Sequence, residues 1–485
     1  MVESAGRCAL NLLSLSYLLF IPLVWVLTRL VNSVTARPMK ARQLLWLAAS
    51  YLFYATWSLK FLCVLVVSSL VNYALGIYLK RKPTAGRLWV GIGFNLLMLA
   101  VFKYLPVWSS HLGQGHHSWL LENVILPVGV SFWTFEALSY LFDIYREEDL
   151  DPSLTEFCLY MAFWPTVLSG PVCRMPELLP QFRNPQPTGD DIADGVRRIV
   201  LGLFMKTVLS QILGSGLRPG EGVDFGFNQM ARGWTGLDVW ILAIGFAFQM
   251  YFDFAGYSNI VIGTARVFGI TLRENFRDPF LSTSPAEFWT RWHMSLSSWI
   301  RDYVFMPLAT WRPQVWWRHA SLVIAMMLFG FWHGADWTYI VWGALQGLLL
   351  VSHRQFQQFE RRSNLQLPPI VSSLGGWAIT FCAMLLSWVV FRANDLHQAR
   401  LMFHALVHFS SYRHFVLPRN FVLMTVVIAV SYFVIAGLRR LAENMKQSPV
   451  VLRIGWALSP VMYSVAVLAI VIMSIHKAVF VYLQF

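Results

Sequence analysis

The chain of 485 residues is 56% hydrophobic and 13% charged, with a mean hydropathy of +0.53, whereas an ordinary soluble domain is roughly 25% charged. This composition excludes a water-soluble enzyme, and apolar runs recurring as far as residue 475 leave no stretch polar enough to fold apart, so residues 1–485 read as a single integral membrane domain. The net charge of +13 does not point to nucleic acid, because the lysines and arginines sit mostly in short loops between apolar segments, the pattern that orients a membrane protein.

Leu10 to Val31 is long enough to span a bilayer and has no small-residue cleavage site, so it is expected to be the first membrane helix. Arg29, Arg37, Lys40 and Arg42 then form a basic loop, Leu44 to Ser58 and Phe61 to Leu79 a helical hairpin, and Lys80, Arg81, Lys82 and Arg87 a second basic loop. Basic loops on both sides of one hairpin place those loops in the cytoplasm and the N-terminus outside. Leu88 to Leu105 returns outward to a loop carrying His111, His116 and His117. That loop has no cysteine and only Glu122 at its edge to complete a metal set, so it reads as solvated. The five cysteines (Cys8, Cys63, Cys158, Cys173 and Cys382) lack CxxC spacing and read as free core thiols.

Val124 to Tyr145 comes back inward carrying Glu136 and Asp143. The stretch from Phe157 to Gln181 that follows is broken by Pro165, Gly170, Pro171, Pro176 and Pro180. Broken backbone at membrane depth needs cover from protein or a water-filled cavity. This stretch is therefore either a re-entrant, cavity-lining segment or an interfacial loop. Asp190 to Lys206 mixes charged and apolar residues and leads into a further helix. Leu237 to Phe254 is a clean span ending in Q-M-Y-F-D-F-A-G-Y-S, in which Gln249, Asp253 and Tyr257 share one helix face at a spacing of four. An ionisable group in a membrane segment is a functional candidate; a structural hydrogen bond or an arginine partner is the alternative for Asp253. Leu374 to Phe391, Val422 to Leu438 and Ile454 to Ile475 read as later spans. Between the first two of these, an external segment carries His397, His404, His408 and His414, which fit amphipathic packing against headgroups.

Two histidines stand out. His293 lies in P-A-E-F-W-T-R-W-H-M-S-L-S-S-W-I-R-D-Y-V-F, a segment too charged to face lipid; if helical, it lines His293, Ser297 and Ile300 or Arg301 along one face. An imidazole, a hydroxyl and a guanidinium in common space suit an anionic or carbonyl-bearing ligand. His333 follows the apolar run from Ala320 to Trp332 and precedes Gly334, which puts it at the end of a membrane helix or at a break within one. Low dielectric favours neutral imidazole, the form that a general base needs. The matching chemistry is removal of a proton from a hydroxyl as it attacks a thioester or ester carbonyl; a packed, hydrogen-bonded histidine is the alternative at each position. No H-x-x-x-x-D, G-x-S-x-G, P-loop or dinucleotide fingerprint is present. Two histidines forty residues apart are too few for a metal site.

Several stretches together carry a resemblance. They are L-P-V-G-V-S-F-W-T-F-E-A-L-S-Y-L-F-D-I-Y-R (Leu126 to Arg146), S-G-P-V-C-R (Ser169 to Arg174), Y-F-D-F-A-G-Y-S-N-I-V-I-G (Tyr251 to Gly263), E-N-F-R-D-P-F (Glu274 to Phe280), F-W-T-R-W-H-M-S-L-S-S-W-I-R-D-Y (Phe288 to Tyr303), F-W-H-G-A (Phe331 to Ala335) and W-V-V-F-R-A-N-D-L (Trp388 to Leu396). With A-S-Y-L-F-Y-A-T-W near the start and the closing F-V-Y-L-Q-F, the chain resembles the membrane-bound O-acyltransferase family. Within that family it resembles the bacterial alginate O-acetyltransferase membrane subunit branch. The resemblance implies an all-α polytopic fold of roughly eleven membrane helices in a ring, with re-entrant or interfacial helices around a central tunnel. It implies His333 as general base and His293 as the second active-site histidine. It also implies cytosolic acetyl-CoA as donor, no permanently bound cofactor, and an extracytoplasmic partner that completes transfer to polysaccharide hydroxyls. D-alanyl-transferring relatives, served by an acyl carrier protein, share R-W-H-M-S. The N-terminal thirty residues match the pattern poorly, and Asn259 stands where an acidic residue is expected.

The expected function is therefore acyl transfer, most simply of acetyl, across a bacterial inner membrane to an extracytoplasmic glycan. His333 acts as base and His293 orients or stabilises the acyl group, with Asp253, Arg174, Arg301, Ser297, Tyr257 and Trp332 as supporting substrate contacts. A non-catalytic acyl conduit and a D-alanyl transferase are the alternatives.

Overall fold

The computed structural model describes residues 10–106, 126–218, 220–228, 233–363, 368–408, 412–444 and 449–474, and every regular element among them is a helix. His111, His116 and His117, Cys8 and the closing F-V-Y-L-Q-F lie outside the described residues. The chain divides into two compact units, Met1–Ile199 with Ser258–Glu274 and Val200–Tyr257 with Asn275–Phe485.

The first unit opens with α1 (Leu15–Val34), α2 (Pro38–Ala55), α3 (Leu59–Arg81) and α4 (Ala85–Leu99). Ser14 caps α1 by accepting from the Tyr17 N–H, and Pro38 stands at the first turn of α2, where its missing N–H costs nothing. A buried helix, α5 (Val130–Tyr145), receives α3 and α4. A Cβ on Gly76 would lie 2.5 Å from the Tyr140 ring, and one on Gly91 would lie 2.6 Å from Leu141. Asn72 and Asn95 exchange amide hydrogen bonds of 3.2 and 2.7 Å, so two buried polar side chains satisfy each other between α3 and α4.

Next comes α6 (Leu154–Ala162), opened by a capping box in which the Ser153 side chain and Glu156 exchange hydrogen bonds with each other's backbone. The Glu156 carboxylate also accepts from Arg183 at 2.8 and 3.1 Å and from Gln43 at 3.2 Å. Burial by itself would raise this carboxyl, but the Arg183 and Ser153 hydrogen bonds outweigh it and hold it at about 2. From Phe163 to Cys173 the backbone is irregular and every residue is buried, before α7 (Met175–Arg183). Protein covers the whole of this broken segment, as broken backbone at membrane depth requires. Gly129 explains one contact of this segment, since its φ of 83° brings it where a Cβ would lie 2.0 Å from the Val167 carbonyl oxygen.

The chain continues through α8 (Gly189–Phe204), a π-helical turn at Met205–Ser210, α9 (Gln211–Ser215), α10 (Val223–Asn228) and α11 (Gly236–Val267). The last runs well past the end at Phe254 expected from its apolar pattern. In the first unit it crosses α8 at two facing glycines: a Cβ on Gly195 would lie 2.7 Å from the Gly263 carbonyl oxygen, and one on Gly263 would lie 2.5 Å from that of Gly195.

The remainder of the second unit comprises α12 (Pro285–Trp289), α13 (Met294–Ile300), a π turn at Arg301–Phe305, α14 (Met306–Thr310), α15 (Val315–His333), α16 (Trp337–Ser363), α17 (Pro369–Arg392), α18 (Leu396–Val407), α19 (Arg419–Asn444) and α20 (Pro449–Ser474). Helices α15 and α16 form a tight hairpin in which backbones, not side chains, meet. A Cβ on Gly330 would lie 2.1 Å from the Tyr339 carbonyl oxygen, one on Gly343 would lie 2.3 Å from that of Met326, and one on Gly347 would lie 2.7 Å from the Val323 Cα. Gly343→Val is accordingly expected to destabilise the protein by at least the roughly 1–3 kcal/mol of an overpacked core, seen as a lower unfolding temperature in detergent.

Among the described residues, seven helices are long and apolar enough to cross a membrane: α1, α3, α4 with its π turn as far as Tyr104, α11, α15, α17 and α19. Of the expected spans, Leu44 to Ser58 and Val124 to Tyr145, which fall on α2 and α5, are not among these, and neither is Ile454 to Ile475, where Pro460–Met473 of α20 forms a shorter apolar helix. The first, α2, carries Lys40 and Arg42 in its opening turns, and the second, α5, has 16 residues and is buried almost throughout. The chain is a multi-pass membrane protein.

Candidate active site

Three aspects of the sequence around His333 place it. It is the last residue of α15, and Gly334 caps the helix in extended conformation. A Cβ at Gly334 would lie 2.3 Å from the Tyr339 ring, so the two glycines of F-G-F-W-H-G let α16 turn back closely around this end. The imidazole, 8% exposed, sits among Phe329 at 4.8 Å, Trp332 at 4.8 Å, Phe391 at 5.2 Å and Trp342 at 5.5 Å between ring centroids. Trp332 is itself buried and stacks on Phe329. The structure thus brings His333 and Trp332 together in an aromatic surround drawn from α15, α16 and α17.

His293 is placed differently from the expectation. It does not lie within a helix but is the N-cap of α13, with φ 44° and ψ 51°, a left-handed conformation uncommon for a residue with a Cβ. The common face of His293, Ser297 and Arg301 therefore does not form. The Ser297 hydroxyl donates to the Trp292 carbonyl oxygen at 3.0 Å. The Arg301 guanidinium, 63% exposed, pairs with its neighbour Asp302 at 2.7 Å.

What holds His293 is Asn275, a residue that the reading of single segments did not single out. The Asn275 side-chain oxygen accepts from the Ser295 N–H at 3.3 Å and the Ser295 hydroxyl at 3.0 Å, and lies 3.1 Å from His293 Nδ1. A backbone N–H can only donate, so the amide atom facing it is the oxygen. Two acceptors cannot bond, so Nδ1 carries the proton and Nε2 keeps the lone pair. The backbone closes the same clamp, with Met294 N–H donating to the Asn275 carbonyl at 2.9 Å and Arg277 N–H to that of Arg291 at 2.9 Å. Nε2 is buried and has no hydrogen-bond partner among the described residues.

Burial pushes the His293 imidazole down from 6.5 to about 3, its own backbone hydrogen bond opposing that shift. The unfolded chain then binds a proton near pH 6.5 that the folded protein refuses until about pH 3. The contribution to stability is full above pH 6.5 and is lost as pH falls toward 3, with a limiting slope of about 1.4 kcal/mol per pH unit. The unfolding temperature is therefore expected to fall with acid below pH 6.5, and His293→Gln to remove that part of the slope.

The remaining candidates separate. On α11, Asp253 forms a buried ion pair with Lys206 of the π turn, while the adjacent Phe254 sets its ring 5.3 Å from His293. The partner of Asp253 is thus a lysine, not an arginine. A Cβ on Gly256 would lie 2.9 Å from the Lys206 nitrogen of the backbone, so this glycine allows the close crossing that the ion pair needs. Gln249 and Tyr257 are buried on the same helix. Arg174 belongs to the first unit, where it is the N-cap of α7 and acts electrostatically on Glu177.

His293 and His333 belong to one aromatic core of the second unit. From His293 the ring contacts run through Phe276 (6.2 Å), Trp292 (5.1 Å), Phe288 (5.6 Å), Trp289 (5.7 Å) and Phe329 (5.6 Å) to His333 (4.8 Å). The Trp289 indole also donates to Gln346 of α16 at 3.3 Å, and Gln346 donates to Ser387 of α17 at 2.7 Å, tying α12 to the helices around His333.

Comparison with known proteins gives the family. The family model of MBOAT, the membrane-bound O-acyltransferases, matches residues 43–393. The chain is 35% identical over 423 residues to the probable alginate O-acetylase AlgI of Pseudomonas putida, covering 84% of each chain. It is 32% identical over 396 residues to the peptidoglycan O-acetyltransferase of Helicobacter pylori, covering 73% of this chain and 72% of that one. It is also 32% identical over 302 residues to the teichoic acid D-alanyltransferase of Streptococcus thermophilus, covering 57% of this chain and 71% of that one.

Proposed function

The chain belongs to the membrane-bound O-acyltransferase family and is an O-acyltransferase, and on that premise we propose that it moves an acetyl group from cytosolic acetyl-CoA to hydroxyls of an extracytoplasmic polysaccharide, directly or through a partner protein outside. His333 is the general base. It takes the proton of the acceptor hydroxyl as that oxygen attacks the thioester carbonyl; the ester forms, the carbon–sulfur bond breaks, and the thiol leaves with the proton. His293 positions the acceptor. With its proton held on Nδ1 by Asn275, its free Nε2 accepts a hydrogen bond, so it suits orientation of a hydroxyl or amide N–H and not stabilisation of a carbonyl oxygen. The observation that supports this reading is the Asn275 oxygen, which accepts from the Ser295 N–H and lies 3.1 Å from His293 Nδ1, so that Nε2 is the ring nitrogen left for a ligand. Trp332 walls the site beside His333, and Asp253 and Tyr257 on α11 are left as supporting groups.

The same proposal includes roughly eleven membrane helices in a ring about a central tunnel, placement in a bacterial inner membrane, and an N-terminus outside. The greater coverage of the acetylating relatives favours acetyl over D-alanyl transfer.

The test is release of thiol and transfer of label from radioactive acetyl-CoA by the purified full chain with an oligosaccharide acceptor. The expected result is turnover, lost in His333→Gln. No turnover without a partner, and turnover by His333→Gln once the partner is added, would make the protein a conduit. Label accepted only from an acyl carrier protein would make it a D-alanyl-type enzyme. Asn275→Ala is expected to lower turnover roughly 10- to 100-fold by freeing the tautomer, as for an outer hydrogen-bond partner of a working histidine, with Asn275→Asp retaining more because its carboxylate still accepts from Nδ1.

A further inference from the structure

The first unit contains a cavity of about 300 Å³ at the turn between α1 and α2, remote in sequence from both histidines. Trp25, Arg29 and Asn32 face it from the last turns of α1, and Arg42 and Trp46 from the first turns of α2; residues 185–188 and Phe268 close it. The two guanidinium groups lie over indoles, Arg29 at 5.0 Å from the Trp25 ring and Arg42 at 5.8 Å from the Trp46 ring, which directs both cations into the same space.

Its unsatisfied groups are all donors. Arg42 is 8% exposed and spends one bond on the Arg183 carbonyl at 3.1 Å and a long one on Asn32 at 3.4 Å, while its buried Nε–H has no acceptor among the described residues. The buried Trp25 Nε1–H likewise has none, whereas the Trp46 indole is already satisfied by Thr28 at 3.0 Å. Asp191, which accepts from Thr188 at the rim, is taken by Arg266 at 3.0 Å. From Arg29 to Arg42 the chain carries four basic residues and no acidic one. The cavity therefore asks for a compact anion that only accepts.

The position in the membrane selects the source. Helix α1 is an apolar span that ends at Val34, and Arg29 and Asn32 stand in its last turns, which turns the polar side of the cavity toward headgroups. Beside Arg29, the α1 side chains Val26, Leu27 and Leu30 are exposed and offer a hydrocarbon track. We propose that this cavity binds the phosphate of an anionic phospholipid headgroup, with the acyl chains lying along α1. The site uses none of the residues assigned to acyl transfer and does not depend on the proposed reaction.

Native mass spectrometry of the full chain in detergent, titrated with phosphatidylglycerol and with phosphatidylcholine, tests this directly. Phosphatidylglycerol is expected to be retained roughly fivefold more strongly per engaged cation, and Arg29→Gln to remove about one such fivefold step. Arg29 is exposed, so that variant folds; Arg42→Gln is expected to lose more, and Lys82→Gln, on the second basic loop, to lose nothing. Equal retention of both lipids, or a preference unchanged in both arginine variants, would overturn the proposal. Millimolar inorganic phosphate binding alone and displacing phosphatidylglycerol would overturn the lipid as the source and assign the cavity to a soluble phosphate. None of these readouts involves acetyl transfer, so failure here leaves the reaction untouched.

Discussion

His333→Gln is expected to lower acetyl transfer by about 10²- to 10⁴-fold, the usual contribution of general acid–base catalysis. Glutamine fills most of the space between Phe329, Trp332, Trp342 and Phe391, so the aromatic surround should survive and the loss should be chemical. Two measurements separate these effects: label transfer from acetyl-CoA in membranes, and the unfolding temperature of the purified variant. A control lies on the same helix. His319, at the other end of α15, shares an exposed hydrogen bond with Gln355 at 3.3 Å, and His319→Gln should transfer acetyl within about twofold of wild type, as surface substitutions do. If His333→Gln kept full transfer, the assignment of the base would fail while the family membership stood.

The second large effect concerns the buried pair on α11. Lys206→Met leaves the Asp253 carboxylate in the protein interior without its cation, which costs about 3–5 kcal/mol when a buried pair is broken from one side. Removing both charges in Lys206→Met/Asp253→Leu takes away the desolvation of two ions together, and replacing a buried pair by apolar residues is often neutral. Unfolding temperatures should therefore fall in each single variant and recover in the double. Transfer activity measured on the double variant then gives the role: activity returning with the fold marks the pair as a device of the α11 crossing at Gly256, and activity staying absent marks Asp253 as part of the site.

Much was legible in local patterns. Apolar runs announced the membrane helices because hydrocarbon burial depends on composition over about twenty residues, which a linear reading captures. The prolines and glycines between Phe157 and Gln181 announce irregular backbone but leave open whether protein covers it, and the structure shows Phe163 to Cys173 buried. The glycine after His333 puts it at a helix end or at a break within a helix, and the structure makes it the end of α15. The family was readable from motifs spread over nearly the whole chain.

The misplacements share one cause. His293 was put on a helix face because its neighbours have helical spacing, yet the helix starts one residue later, where Asn275 claims its ring and the Ser295 N–H. Lys206 was not foreseen as the partner of Asp253, since forty-seven positions separate them and nothing in either segment specifies the other. The glycines of α15 and α16 could be seen but not read, because what they admit is the backbone of another helix.

By itself, then, the sequence determined that the chain is a polytopic helical membrane protein of this acyltransferase family, that its backbone breaks after α6, and that two histidines in aromatic motifs are its chemical candidates. These follow from composition, spacing and motif, all properties of contiguous residues. The tertiary structure alone decided which proton His293 carries, which cation faces Asp253, and how closely α16 folds back over His333. Each of those depends on a partner distant in sequence, chosen by packing and by the need to satisfy buried polar groups.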